Sequence, residues 1–101
     1  MMEIPKLVKE TVSQLVNNPE VTLFGSRARG DYTKASDWDF LILVDTPQLT
    51  RQTKNEIQDL LYELELKTDT VISSLIHTKA DWESRGITPL YQIIEKEGVP
   101  A

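Results

Sequence analysis

The segment Ser36-Asp37-Trp38-Asp39-Phe40-Leu41-Ile42-Leu43-Val44 constrains this chain more than any other, because two acids head an unbroken apolar run. The run is short and rich in branched side chains, so it reads as a strand. Side chains alternate across a strand, which puts Asp37 and Asp39 on one face and Trp38 and Phe40 on the other. Two carboxylates about 5 Å apart repel by about 3 kcal/mol at an effective dielectric near 20, a figure that water softens. A cation at the mouth of the strand keeps both ionised most simply, and carboxylate oxygens suit the hard ion Mg²⁺.

A second apolar run, Val21 to Phe24, reads as a short strand and leads into Gly25-Ser26-Arg27-Ala28-Arg29-Gly30. Gly25 allows a sharp turn and close approach of the backbone to a ligand. Ser26 fits an N-cap, and the four residues from it fit one helical turn whose free N–H groups favour a phosphate. Arg27 and Arg29 carry guanidinium groups suited to phosphate oxygens but lie on different sides of such a turn, and Arg27, the nearer, ranks first. The polar stretch Gly30 to Ser36 could cover a bound nucleotide, with Lys34 in reach of its phosphates. Tyr32 and Lys34 read more simply as solvent-facing loop residues.

Gly25-Ser26, ten residues, then Asp37-x-Asp39 resembles the signature of the polymerase-beta-type nucleotidyltransferase superfamily. The likeness is dense from Val21 to Val44 and loose elsewhere, and the minimal bacterial and archaeal members are similar in length to this chain. In that family the strand carboxylates bind two divalent ions that clamp a nucleoside triphosphate and help deprotonate an acceptor hydroxyl. The resemblance gives that role to Asp37 and Asp39, as catalytic and metal-binding residues, and gives the phosphates to Gly25 and Ser26, with Arg27 beside them. It also implies a third carboxylate on a neighbouring strand, for which Asp69 is the best candidate, although Thr68 and Thr70 flank it where the family has apolar residues. The minimal members further imply Mg²⁺-dependent transfer of AMP from ATP to a tyrosine of a separate HEPN-domain toxin, with this chain as the antitoxin. The alternatives are a partner-binding or nucleotide-sensing module without catalysis and, further off, a small-molecule nucleotidyltransferase.

The remaining sequence supplies scaffold. Ile4 to Val16 has the apolar spacing of an amphipathic helix, stopped by Asn17-Asn18-Pro19. A second helix is expected over roughly Thr50 to Leu66 and a strand from Thr70 to Ile76, with Asp69 at its beginning. Thr78-Lys79-Ala80-Asp81 and Thr88-Pro89 read as helix starts, and Gly98 ends the last helix. Trp82, Tyr91 and Ile94 could form part of a partner-binding surface, but completing the small core is the favoured reading. The single histidine, His77, reads as structural, since neither a second His nor a Cys offers it a zinc partner. The order of these elements predicts an α/β (α+β) fold, a mixed sheet of three or more strands with helices mainly on one face.

With 101 residues and 40% hydrophobic content, one compact domain spanning residues 1–101 is expected. A net charge of -5 argues against direct nucleic-acid binding, which depends on basic surface. The absence of cysteine removes disulfides, thiol nucleophiles and thiolate metal sites, and fits a cytoplasmic protein. The N-terminus, Met1-Met2-Glu3-Ile4-Pro5-Lys6, lacks the pattern of a secretory leader, and no apolar run is long enough to cross a membrane. No heptad or dedicated interface segment fixes an oligomeric state.

Overall fold

The computed structural model describes residues 3–101, so the part of the leader reading that rests on Met1 and Met2 lies outside the described residues. The elements run α1 (Ile4–Ser13), β1 (Glu20–Phe24), α2 (Ser26–Arg29), β2 (Trp38–Val44), α3 (Arg51–Thr68), β3 (Ile72–Thr78), α4 (Lys79–Glu83), α5 (Pro89–Glu97) and β4 (Val99–Pro100). The four strands form one mixed sheet in the order β3-β2-β1-β4. β1 is antiparallel to both β2 and β4, while β2 and β3 run parallel, connected through α3. Parallel neighbours need such a crossover, whereas the antiparallel β1–β2 pair is joined by the segment that carries α2 and the polar loop.

β2 is the central strand, and its alternation sorts the molecule into two sides. Phe40, Ile42 and Val44 pack with Val21, Leu23, Ile72 and Ile76 beneath α1 and α3 in the main apolar core. Leu41 and Leu43 point the other way and meet Trp82 of α4 and Ile94 of α5, with Phe24, Leu75 and Tyr91 alongside. The two longest helices therefore share one face, as expected, and the two short C-terminal helices cover part of the other. Trp82 and Ile94 are buried, as the core reading required.

Boundaries differ from the sequence reading where local chemistry outweighs periodicity. α1 stops at Ser13, short of Val16, where the N–H groups beyond it turn to Thr11 and Val12 carbonyls. Thr50 caps α3 by accepting from Thr53 N–H, and the helix continues two residues past Leu66 to Thr68. Thr78 and Thr88 cap α4 and α5 by accepting from Asp81 N–H and Tyr91 N–H. Gly98 lets the chain leave α5 close against β1: a Cβ there would run into Ile94 O and Thr22 Cγ2. That approach brings Val99 beside Leu23 and adds β4, a two-residue strand with no sequence pattern of its own.

Candidate active site

Phe24 lies opposite Asp39 in the β1–β2 ladder, so the turn that follows β1 arrives at the Asp39 side chain. Gly25 takes a positive φ of 78°, open to glycine at no steric cost, and it is the residue flanking α2, with Ser26 as the first helical residue and not the N-cap. A Cβ on Gly25 would collide with Asp39 Oδ2. The glycine is thus demanded twice, by its backbone angle and by the carboxylate against it. The acids and the glycine turn meet on the same side of the sheet, the side that also carries α4 and α5.

Asp37 precedes β2 and is exposed, whereas Asp39 is partly buried within it. Burial holds the Asp39 carboxyl above its ordinary pKa, the charge of Asp37 pushes it further up, and Arg29 opposes both. Burial first and the neighbouring carboxylate second disfavour the charged form of Asp39, and a divalent cation would oppose both. Among the described residues no group of three His, Cys, Asp or Glu side chains gathers in a metal-binding arrangement. The two acids and the glycine turn fit a cation shared with a phosphate. A third acid does not join them.

Asp69 sits elsewhere than expected. β3 begins at Ile72, and Asp69 instead closes α3 with a left-handed backbone (φ 53°), its N–H donating to Glu65 O. Aspartate tolerates that conformation, so the residue that would have opened a strand ends a helix. In the parallel register the neighbour of Asp39 on β3 is Ser73, which carries no carboxylate.

The two arginines also exchange the expected order. Arg27 turns to the Trp38 side of the strand, with its guanidinium carbon 4.3 Å from the Trp38 ring centre and 4.5 Å from that of Tyr32. Its Nη2 donates to Ser36 O at 3.1 Å and Lys34 O at 3.3 Å, and its Nε donates to Ser36 O at 3.4 Å. Arg27 is therefore committed to the loop and does not face Asp39. Arg29 is the cation whose charge reaches Asp39, and it is braced by Asp31 at 3.3 Å and by Glu97 of α5 at 3.6 Å. Sequence reasoning named Arg29 but ranked it behind Arg27, and it missed Glu97 as the partner of Arg29. No local pattern announces either the rings that draw Arg27 away from the acids or the reach of Arg29 to Glu97.

His77 lies four residues along β3 from Ser73, opposite Leu43 and so about 13 Å from the Asp39 level. Its Nδ1 is 2.9 Å from Asp81 Oδ2 and its ring stacks on Trp82. It braces α4 and takes no part in the site. Lys34 and Tyr32 are exposed, as expected of the loop.

The architecture and the paired-acid, glycine-turn site define a nucleotidyltransferase-like domain, and comparison with known proteins agrees. Residues 5–99 match the family model of the nucleotidyltransferase domain. The chain belongs to that family. Two proteins of Methanocaldococcus jannaschii, each bearing the name putative protein adenylyltransferase, are 40% and 35% identical to it over 82 and 83 residues. Those alignments cover 78% and 77% of this chain and 81% and 77% of the relatives. A solved structure described as a toxin-antitoxin with AMP-PNP superposes with a TM-score of 0.67 at 16% identity, over 97% of this chain and 72% of that one, which speaks for the fold. Nucleotidyl transfer is the activity that family membership assigns to the chain. Among the described residues no helix is long and apolar enough to cross a membrane.

Proposed function

We propose that this chain transfers AMP from ATP to a hydroxyl of a partner protein, in a Mg²⁺-dependent reaction that silences a toxin. The observation that carries the reading is the apposition of Gly25 to Asp39, which joins a backbone able to approach phosphate to a carboxylate in need of a cation. Asp37 and Asp39 would hold Mg²⁺, which supplies charge neutralisation to the triphosphate and acidity to the acceptor hydroxyl. The N–H groups of the Gly25–Ser26 turn point the phosphates, and Arg29 offers a guanidinium beside them. Position and charge are the contribution of the protein, with no covalent intermediate required.

Transfer to protein is favoured by the names of the two archaeal relatives. The toxin-antitoxin character and the use of ATP are favoured by the solved neighbour. A HEPN-domain partner, a tyrosine acceptor and a cytoplasmic setting complete the proposal on the strength of the motif resemblance. Incubation of the chain with labelled ATP, Mg²⁺ and the candidate toxin should label the toxin, and the Asp37→Asn/Asp39→Asn double variant should not. Labelling that survives the double variant removes these acids from the reaction. A second reading, a partner-binding module that silences without chemistry, is favoured by the two-acid site, since no third acid joins Asp37 and Asp39 among the described residues. It predicts toxin inhibition that survives the same variant.

A further inference from the structure

Asp37 lies outside the β2 ladder, which begins at Trp38, whose N–H donates to Val71 O at 2.9 Å. What holds Asp37 in place must therefore come from the residues on either side of it. On the N-terminal side runs an exposed loop whose internal bonds are few: Ser36 N–H to Thr33 O at 3.1 Å, Thr33 N–H to Ser36 Oγ at 3.0 Å, and Ala35 N–H to Thr33 Oγ1 at 3.3 Å. Among the described residues Arg27 is the one side chain from outside that bonds to the Thr33–Ser36 part of this loop, through the carbonyls of Lys34 and Ser36, while Arg29 reaches only Asp31 further back. The same guanidinium lies over the ring of Trp38, the residue that follows Asp37. Arg27 thus grips the residue before the acid by its carbonyl and the residue after it by its ring.

We propose that Arg27 is a positioning residue for Asp37, a role that rests on the reading of Asp37 and Asp39 as a metal-holding pair. A guanidinium can serve two carbonyls through its planar fork and present its faces to aromatic rings, while an ammonium on a flexible stem cannot do both. Residues that orient a metal ligand are worth about 10- to 100-fold in metal affinity, so the grip of Arg27 belongs at the lower end because Asp39 is held independently by the sheet. The contrast with a phosphate contact is sharp: there the charge matters, and here the shape does.

The test is Mn²⁺ binding to the full chain, with Mn²⁺ alone as the probe and free ion read by electron paramagnetic resonance. Arg27→Gln and Arg27→Lys should both weaken binding about tenfold, with the folded circular dichroism spectrum retained. In an Asp37→Asn background Arg27→Gln should add nothing, because the residue acts through that acid. Tyr32→Ala, on an exposed side chain whose loss does not open the core, should weaken binding in the same direction by a smaller factor. Wild-type affinity in Arg27→Lys beside loss in Arg27→Gln overturns the proposal in favour of a charge role. An undiminished Arg27→Gln effect in the Asp37→Asn background also overturns it. Wild-type affinity in Arg27→Gln with loss in Asp37→Asn and Asp39→Asn sinks the role of Arg27 alone, and wild-type affinity in all three sinks the metal site with it.

Discussion

The two faces of the sheet are built from the same strands and do opposite work. Beneath α1 and α3, thirteen buried apolar residues form a continuous core. On the other face the buried cluster has four members, and the strand ends beyond it carry Asp39 and the glycine turn. β2 contributes to both by alternation, so a single residue step along it passes from packing to chemistry. The lesson is a division of labour: the dry face supplies the stability that lets the open face keep a carboxylate in a costly place.

The comparison breaks most visibly if the dry face is cut. Phe40→Ala, at a fully buried side chain of the core, should cost about 3–5 kcal/mol in denaturant unfolding and leave little folded protein. Asp39→Asn, one residue away, should do the reverse: transfer falls by about a hundredfold or more while the unfolding midpoint does not drop, since a strained charge has been removed. The same variant sharpens the contrast with pH. The folded Asp39 carboxyl is held above its ordinary value, so the folded chain binds that proton more tightly than the unfolded one does. Its contribution to stability is full in acid and is lost as pH rises through the raised pKa. Asp39→Asn should therefore lose less stability than the wild-type chain as pH is raised from about 4.

Gly25→Ala lies between the two faces in its effect. It should cost about 1–3 kcal/mol from the positive φ and also depress transfer, because the new methyl displaces Asp39. The smallest effect is expected at His77→Gln. The residue lies away from the acids in a partly exposed hydrogen bond to Asp81, so transfer should hold within about twofold and stability should change by at most about 1 kcal/mol. A large loss of activity there would erase the proposed boundary between the site and the scaffold.

The side of Asp39 and the turn at Gly25 were legible because their geometry is local: alternation along β2 fixes the face of Asp39, and a glycine straight after an apolar run marks a turn. Asp37, by contrast, lies just ahead of the strand and beyond the reach of its alternation. The caps at Thr78 and Thr88 were legible for the same reason, each being a hydroxyl three residues from the N–H it accepts. Asp69 was harder, because an acid between two threonines serves equally to end a helix or to open a strand, and here its left-handed backbone closes the helix with its N–H on Glu65 O. The exchange between Arg27 and Arg29 was not legible at all. It depends on aromatic rings five and eleven residues away in the chain, which no helical spacing anticipates. β4 is two residues long, one of them proline, and exists because Gly98 brings the chain onto β1.

The mixed duty of β2 also limits how such a gene can drift. Codons can be gained or lost between Gly30 and Ser36 without disturbing any ladder, because that stretch pairs with no strand. A single codon added between Asp39 and Val44 would turn the strand over downstream of it, sending core side chains to water or the acid into oil. Length variation in descendants of this chain should therefore gather ahead of the carbonyls that Arg27 holds and be absent from Asp39 to Val44.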